Sequence, residues 1–306
     1  MSYPEVHWIT NGKDGSDHRP AIASDGQTIL FERRAASERT LLYRMVAGSG
    51  NDPVPFLPGL AGEQTRPDWW KKDVVAFNVS DNHGVSVYTV GSGGKHWAEV
   101  PGSAHFLYPQ WDAAGDSLTI MNKSTSANPR PCSSVIKKDG TILYSNVNGN
   151  DGRKPLFGGM PAVNPTKHAD NIAFAGQPSW DGSDYSQDDN YIFLNQGSGG
   201  TYFSAPMESG AGIDSFDARF QGRAPAWSPD GRYIAFESNR NNGYALFLFD
   251  TNNPLKGAAQ LTDPKANPAM HAKWYPDGVC LIFSAQSPSH PDNDGIAWIL
   301  IKQYLS

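Results

Sequence analysis

The chain has 306 residues, 39% of them hydrophobic and 18% charged, and carries a formal net charge of −6. This composition describes a globular protein with a large core, and the acidic balance excludes non-specific nucleic-acid binding, which needs a basic face to displace counterions. No apolar run approaches the ~20 residues of a membrane span, the two cysteines make no disulfide framework, and no signal peptide opens the chain, so a cytoplasmic monomer with neither nucleic-acid nor membrane partners is expected.

In chain order, residues 5–10 (EVHWIT) have strand character but no partner of their own. One element then recurs: a proline, an apolar or aromatic residue two places on, a glycine-containing turn and an apolar run. It reads HRPAIASDGQTILFERR at 18–34, TRPDWWKKDVVAFNVS at 65–80 and LYPQWDAAGDSLTIMNKS at 107–124. Three further copies follow: GMPAVNPTKHADNIAFAG at 159–176, APAWSPDGRYIAFESNR at 224–240 and MHAKWYPDGVCLIFSAQ at 270–286. Anchored on Pro20, Pro67, Pro109, Pro161, Pro225 and Ala272, the steps are 47, 42, 52, 64 and 47 residues.

Each copy reads as a tight hairpin. In the fifth, Pro229 presets φ, Asp230 caps the turn and Gly231 takes its left-handed position, with strands on either side. Third strands are expected at 41–45, 85–90, 191–195, 245–250 and 296–301, and weaker fourth strands at 97–100 and 259–262. Glycine (31) and proline (23) are spread along the chain, as punctuation of many short strands requires. Four short strands repeated six times predict an all-β, six-bladed β-propeller spanning residues 1–306 as one domain. The last copy runs out after its third strand, so the N-terminal strand is expected to complete the last blade and close the ring. Trp69, Trp111, Trp227 and Trp274 share one repeat position and are expected to fill the wedges between blades.

The stretch PAWSPDGRYIAFESNRNNGYALFLFD (225–250) resembles the repeat of TolB-type propellers, the WD40-like PD40 repeat, and KWYPDGVCLIFSA (273–285) is similar to it. Copies two to four have lost much of the S-P-D-G turn. The resemblance implies a six-bladed TolB-like propeller. Proteins of this kind include a periplasmic protein-interaction module, the propeller of prolyl-oligopeptidase-type peptidases and metal-dependent oligogalacturonate lyases, so the shared fold does not transfer an activity.

No G-x-S-x-G, G-x-G-x-x-G after a strand, P-loop, H-E-x-x-H or paired C-x-x-C is present. Ligands of such rings favour the mouth of the central channel, where the residues before each anchor should lie. These are Arg19, Arg66, Tyr108, Met160, Ala224 and His271, with His18, Thr65, Leu107, Gly159, Arg223 and Met270 one step earlier. Arg19, Arg66, Arg223, His18 and Met160 are therefore candidate ligand contacts. The arginines suit an anionic small molecule, glycan or peptide, unless each pairs with a neighbouring carboxylate.

His271 and Tyr108 are candidate acid–base groups if the mouth is catalytic, as a lyase or cyclase would be. A transition metal would recruit His18, His105 and His271, with Gln64 as a candidate oxygen ligand, although each histidine is more readily read as structural or surface. Asp181, Asp184, Asp188 and Asp189 in the 180–190 loop could hold Ca²⁺ or stand as a solvated acidic loop. The segment 203–222, with Phe203, Met207, Phe216 and Phe220, reads either as a lid over the mouth or as an outer strand and connector.

Overall fold

The structure is a computed structural model that describes residues 3–35, 38–70, 73–122, 131–150, 156–177, 190–208 and 218–305. The acidic loop proposed for Ca²⁺ (Asp181, Asp184, Asp188 and Asp189) lies outside the described residues, as does Phe216 of the suggested lid. After a short N-terminal strand β1 (His7–Trp8), blade one comprises β2 (Ser16–Ile22), β3 (Thr28–Arg34), β4 (Leu41–Val46) and β5 (Val54–Pro55). Blade two follows with β6 (Glu63–Trp70), β7 (Val74–Asp81), β8 (Gly84–Gly91) and β9 (Ala98–Glu99). Blade three holds β10 (Phe106–Trp111), β11 (Ser117–Asn122), β12 (Cys132–Lys137) and β13 (Ile142–Tyr144). Blade four is β14 (Phe157–Val163), β15 (Ile172–Gln177), β16 (Tyr191–Ser198) and β17 (Thr201–Pro206).

Blade five contains β18 (Arg223–Trp227), β19 (Tyr233–Ser238), β20 (Ala245–Asp250) and β21 (Ala259–Gln260). The sixth blade is made of β22 (Ala269–Trp274), β23 (Cys280–Gln286), β24 (Asp294–Leu300) and, as its outer strand, β1. Adjacent strands within each blade are antiparallel, and the N-terminal strand closes the ring as expected, His7 opposite Trp298 and Trp8 opposite Ala297. Among the described residues no helix is long and apolar enough to cross a membrane.

The core lies between blades rather than within one centre. Each second strand is buried on both faces, so it reads as a continuous apolar run: Ile29, Leu30 and Phe31 in blade one, Ile234, Ala235 and Phe236 in blade five. Successive residues point to opposite wedges. Leu30 joins Val75 and Phe77 toward blade two, while Ile29 and Phe31 join Ile282 and Ile296 toward blade six. Phe31, Phe77, Phe174, Phe236 and Phe283 occupy one register and are fully buried, with Ile120 in that place in blade three. The two cysteines are unbridged, and burial with nearby Asp277 pushes the Cys280 thiol up to about 12.

Two readings change. Strand β12 was not recognised, because its Ser133–Ser134 pair breaks the apolar alternation; β5 and β13 were missed as well. Of the two readings of 203–222 the outer strand holds for its first part, which is β17, the outermost strand of blade four and therefore the strand farthest from the channel. Phe203 on it is exposed and Met207 is buried in the wedge toward blade five, so neither is available to cover the mouth.

Candidate functional site

One backbone device repeats six times around the axis. The inner strand slips register against its neighbour between His18 and Ala21, Thr65 and Asp68, Leu107 and Gln110, Gly159 and Ala162, Arg223 and Ala226, and Met270 and Lys273. Inside each of these bulges one non-glycine residue holds a left-handed φ of 45° to 58°: Arg19, Arg66, Tyr108, Met160, Ala224 and His271. That conformation costs an L-residue about 1–2 kcal/mol and survives because the ladders on either side dictate it. These six residues line one cavity of about 60 Å³ on the channel axis, together with the anchor residues beneath them. All six were read from the sequence as the mouth ring.

The residue following the buried phenylalanine position of each second strand meets the bulge of the next blade. Glu32 Oε1 accepts the N–H of Arg66 at 2.6 Å and Asn78 Oδ1 that of Tyr108 at 3.1 Å. Glu237 Oε2 accepts the N–H of His271 at 2.5 Å, and Ser284 Oγ that of Arg19 at 3.0 Å. Met121 and Ala175 hold the same register in blades three and four and have no side-chain oxygen to offer as a cap. Met121 instead fills the space over Gly159, in which a Cβ would sit 2.0 Å from its sulfur. These caps were missed in the sequence, although Glu32, Asn78, Glu237 and Ser284 align once the I-A-F runs are superposed.

The caps also order the charge. Arg19 Nη1 binds Glu32 Oε2 at 3.0 Å, and although burial pulls the guanidinium down, Glu32 holds it above its ordinary value. Arg223 Nε binds Glu237 Oε1 at 2.6 Å. Burial pushes the Glu237 carboxyl up and Arg223 opposes it, yet both oxygens accept hydrogen bonds, as the ionised form requires. Lys273 Nζ binds Asp68 Oδ1 at 3.2 Å. Arg66 lies with Cζ 4.6 Å from the centre of the Tyr108 ring and donates to Thr65 Oγ1, and among the described residues it has no carboxylate partner. Four cations (Arg19, Arg66, Arg223, Lys273) therefore face three carboxylates (Glu32, Glu237, Asp68), leaving one positive charge at Arg66.

His271 is the other distinctive group. Burial, with Arg19, His18, Arg223 and Arg66 nearby, holds its imidazole well below the ordinary range, and its Nδ1 is enclosed without a hydrogen-bond partner. The sign of the linkage follows: the unfolded chain takes up this proton below about pH 6.5 and the folded one resists it. Stability from this residue is complete above that pH and is lost as pH falls, by up to about 1.4 kcal/mol per unit. His271→Asn, chosen because asparagine tolerates left-handed φ, should flatten the acid side of a melting-temperature profile relative to the wild type. Parallel profiles would show that the imidazole is not what resists protonation.

Other candidates are placed elsewhere. His18 stands beside the mouth, its ring 6.2 Å from that of His271, with Nδ1 3.3 Å from Asp294 and Nε2 3.0 Å from Ser16 Oγ. Arg223 does not line the mouth cavity; it lies behind it, 4.2 Å above the Tyr244 ring. His105 is exposed. Gln64 is buried with its amide bound to Leu57 O and Leu60 O and its oxygen accepting from Leu42 N, so it is a structural brace and not an oxygen ligand. Among the described residues no three histidine, cysteine, aspartate or glutamate side chains stand close enough together to hold a metal ion, and His18, His105 and His271 do not converge.

Below the mouth the channel widens to a chamber of about 260 Å³. Its walls include Trp69, Trp111, Trp227 and Trp274, so these rings both pack against the inter-blade clusters, as expected, and line the axis, which was not foreseen. Gln110 and Lys273 line both compartments and form the waist between them.

The architecture is that of a TolB-like six-bladed β-propeller. TolB from Acinetobacter baumannii superposes with a TM-score of 0.51 at 13% identity over 77% of this chain, which spans 52% of that protein's length. A gluconolactonase from Xanthomonas campestris is similar with a TM-score of 0.63 at 9% identity, covering 97% of this chain and 89% of its own. An oligogalacturonate lyase from Vibrio parahaemolyticus gives 0.52 at 9% identity over 95% of this chain and 79% of its own. No protein-family model matches the chain, and no curated protein does. At these identities the likeness is one of fold, on which unrelated functions are built.

Proposed function

We propose that the protein is a binding propeller that captures a small monoanion, through its carboxylate, at the mouth ring. The observation that carries this reading is Arg66, held over Tyr108 and, among the described residues, without a carboxylate partner, in a cavity where Arg19 and Lys273 each have one. A free acid, the acidic end of a glycan and a peptide C-terminus present the same group. Its two oxygens match the guanidinium fork, and Arg66 lines the mouth cavity of about 60 Å³.

The test is calorimetric titration with short monocarboxylates such as acetate and butyrate. Arg66→Gln should weaken binding about tenfold to a hundredfold, the worth of charge-assisted hydrogen bonds, while the melting temperature stays near that of the wild type. Equal affinities, or a wild type that binds none of them, would remove the reading. A lyase or cyclase using His271 and Tyr108 draws less support, because an imidazole held so far below its ordinary range has little driving force to accept a proton.

A further inference from the structure

The chamber beneath the mouth cavity is several times larger, about 260 against 60 Å³, and adjoins it at Gln110 and Lys273. From a mouth residue such as Arg66 to the wall residue Trp69 is three positions along one inner strand, and because the bulge sets three steps against two of the partner strand the advance is about 7 Å at ~3.3 Å per residue. The chemistry of the walls is specific. The indole N–H groups of Trp69 and Trp227 are enclosed, and that of Trp274 is spent on Ala226 O at 2.9 Å. These three rings therefore offer the chamber carbon rather than donors. At the waist, Asp68 and Lys273 neutralise each other. The polar side chains of the lining, Asp68, Gln110 and Lys273, gather at the waist, so a sugar ring lying among the three indoles would leave hydroxyls without partners there, at the price of their desolvation. A flat aromatic ring would not, and it stacks on indole faces.

Resting on the reading of Arg66 as a carboxylate site, we infer that the chamber is a second subsite of the same channel, and that the ligand class is an aryl-alkanoic acid. Its carboxylate sits at Arg66, a spacer of a few methylenes passes the waist, and its aromatic ring lies among Trp69, Trp111, Trp227 and Trp274. Lys273, a flexible side chain, swings aside from Asp68 as the spacer passes.

The experiment compares butyrate, benzoate and 4-phenylbutyrate by calorimetry on the wild type, Trp227→Leu, Trp69→Leu and Arg66→Gln, with intrinsic tryptophan fluorescence read on the wild type in parallel. On the wild type, 4-phenylbutyrate should bind at least tenfold tighter than butyrate and shift the tryptophan emission. Benzoate, which lacks the spacer, should gain little. Either tryptophan substitution should erase most of the gain while leaving butyrate affinity unchanged. Equal affinity for butyrate and 4-phenylbutyrate, no change in emission, or a gain indifferent to both tryptophans overturns the chamber subsite. In any of those cases the Arg66 reading still stands if butyrate binding is weakened by Arg66→Gln, and it falls separately if it is not.

Discussion

Removing residues 1–10 lowers the melting temperature by about 10 °C and makes the protein prone to associate through blade six. Strand β1 is only two residues long, but the chain around it makes a dense set of contacts. Ile9 and Thr10 donate their N–H groups to Ile296 O at 2.8 and 3.1 Å, and Thr10 Oγ1 accepts from Ile296 N at 2.8 Å. His7 stacks on Trp298 with ring centres 4.4 Å apart, while Val6 and Trp8 pack on the core shared by blades five and six. These side chains are half-buried, so their combined apolar contribution is about 3–5 kcal/mol, on a scale of ~1.5–3 for one fully buried. One kcal/mol corresponds to about 2–4 °C in a chain somewhat shorter than this one. The truncation also bares the edge of β24, whose unpaired groups invite another strand. Calorimetric melting with size-exclusion chromatography at two concentrations checks both effects. A truncated chain that melts within about a degree of the full one would mean that the ring does not depend on its closure.

Glu32→Ala should be the most damaging single substitution at the mouth, at about 3–5 kcal/mol. Its carboxylate is 3% exposed and serves two blades, pairing with Arg19 and accepting the N–H of left-handed Arg66. Alanine strands a guanidinium that burial already disfavours and leaves a strained amide uncapped. Glu32→Gln separates the two roles. Asn78 and Ser284 show that a neutral oxygen suffices as a cap, so glutamine should keep the cap, lose only the ion pair and fall between wild type and alanine. Urea denaturation of the three proteins measures the series. An alanine variant within about 1 kcal/mol of the wild type would show that the ring of caps does not brace the mouth.

Much of this protein is legible in its sequence because its information is local and periodic. The anchor prolines, the turn glycines and the two-sided apolar runs each act over a handful of residues, and six repetitions locate the blades, the closing strand and all six mouth residues. The outer strands were harder to read for the converse reason. Val54–Pro55 and Ile142–Tyr144 are short and largely exposed, so little burial shapes their composition. The caps lay within reach of the alignment, since Glu32 and Glu237 follow the same buried phenylalanine, but their function is a contact with the following blade.

That is also where the tertiary structure takes over. Glu237 and His271 are 34 residues apart, Asp68 and Lys273 are 205 apart, and Arg19 and Ser284 are 265 apart. Whether the tryptophans would face a wedge or the axis as well depends on how neighbouring blades meet around the ring. Local propensity and hydrophobic period, acting along the chain, determined that there would be a ring and which residues would face its centre. Pairing within blades one and five gave Arg19 and Arg223 their carboxylates, but only contact through space decided that the same carboxylates cap the next blade's bulge and that Arg66, with no carboxylate partner among the described residues, lines the channel mouth.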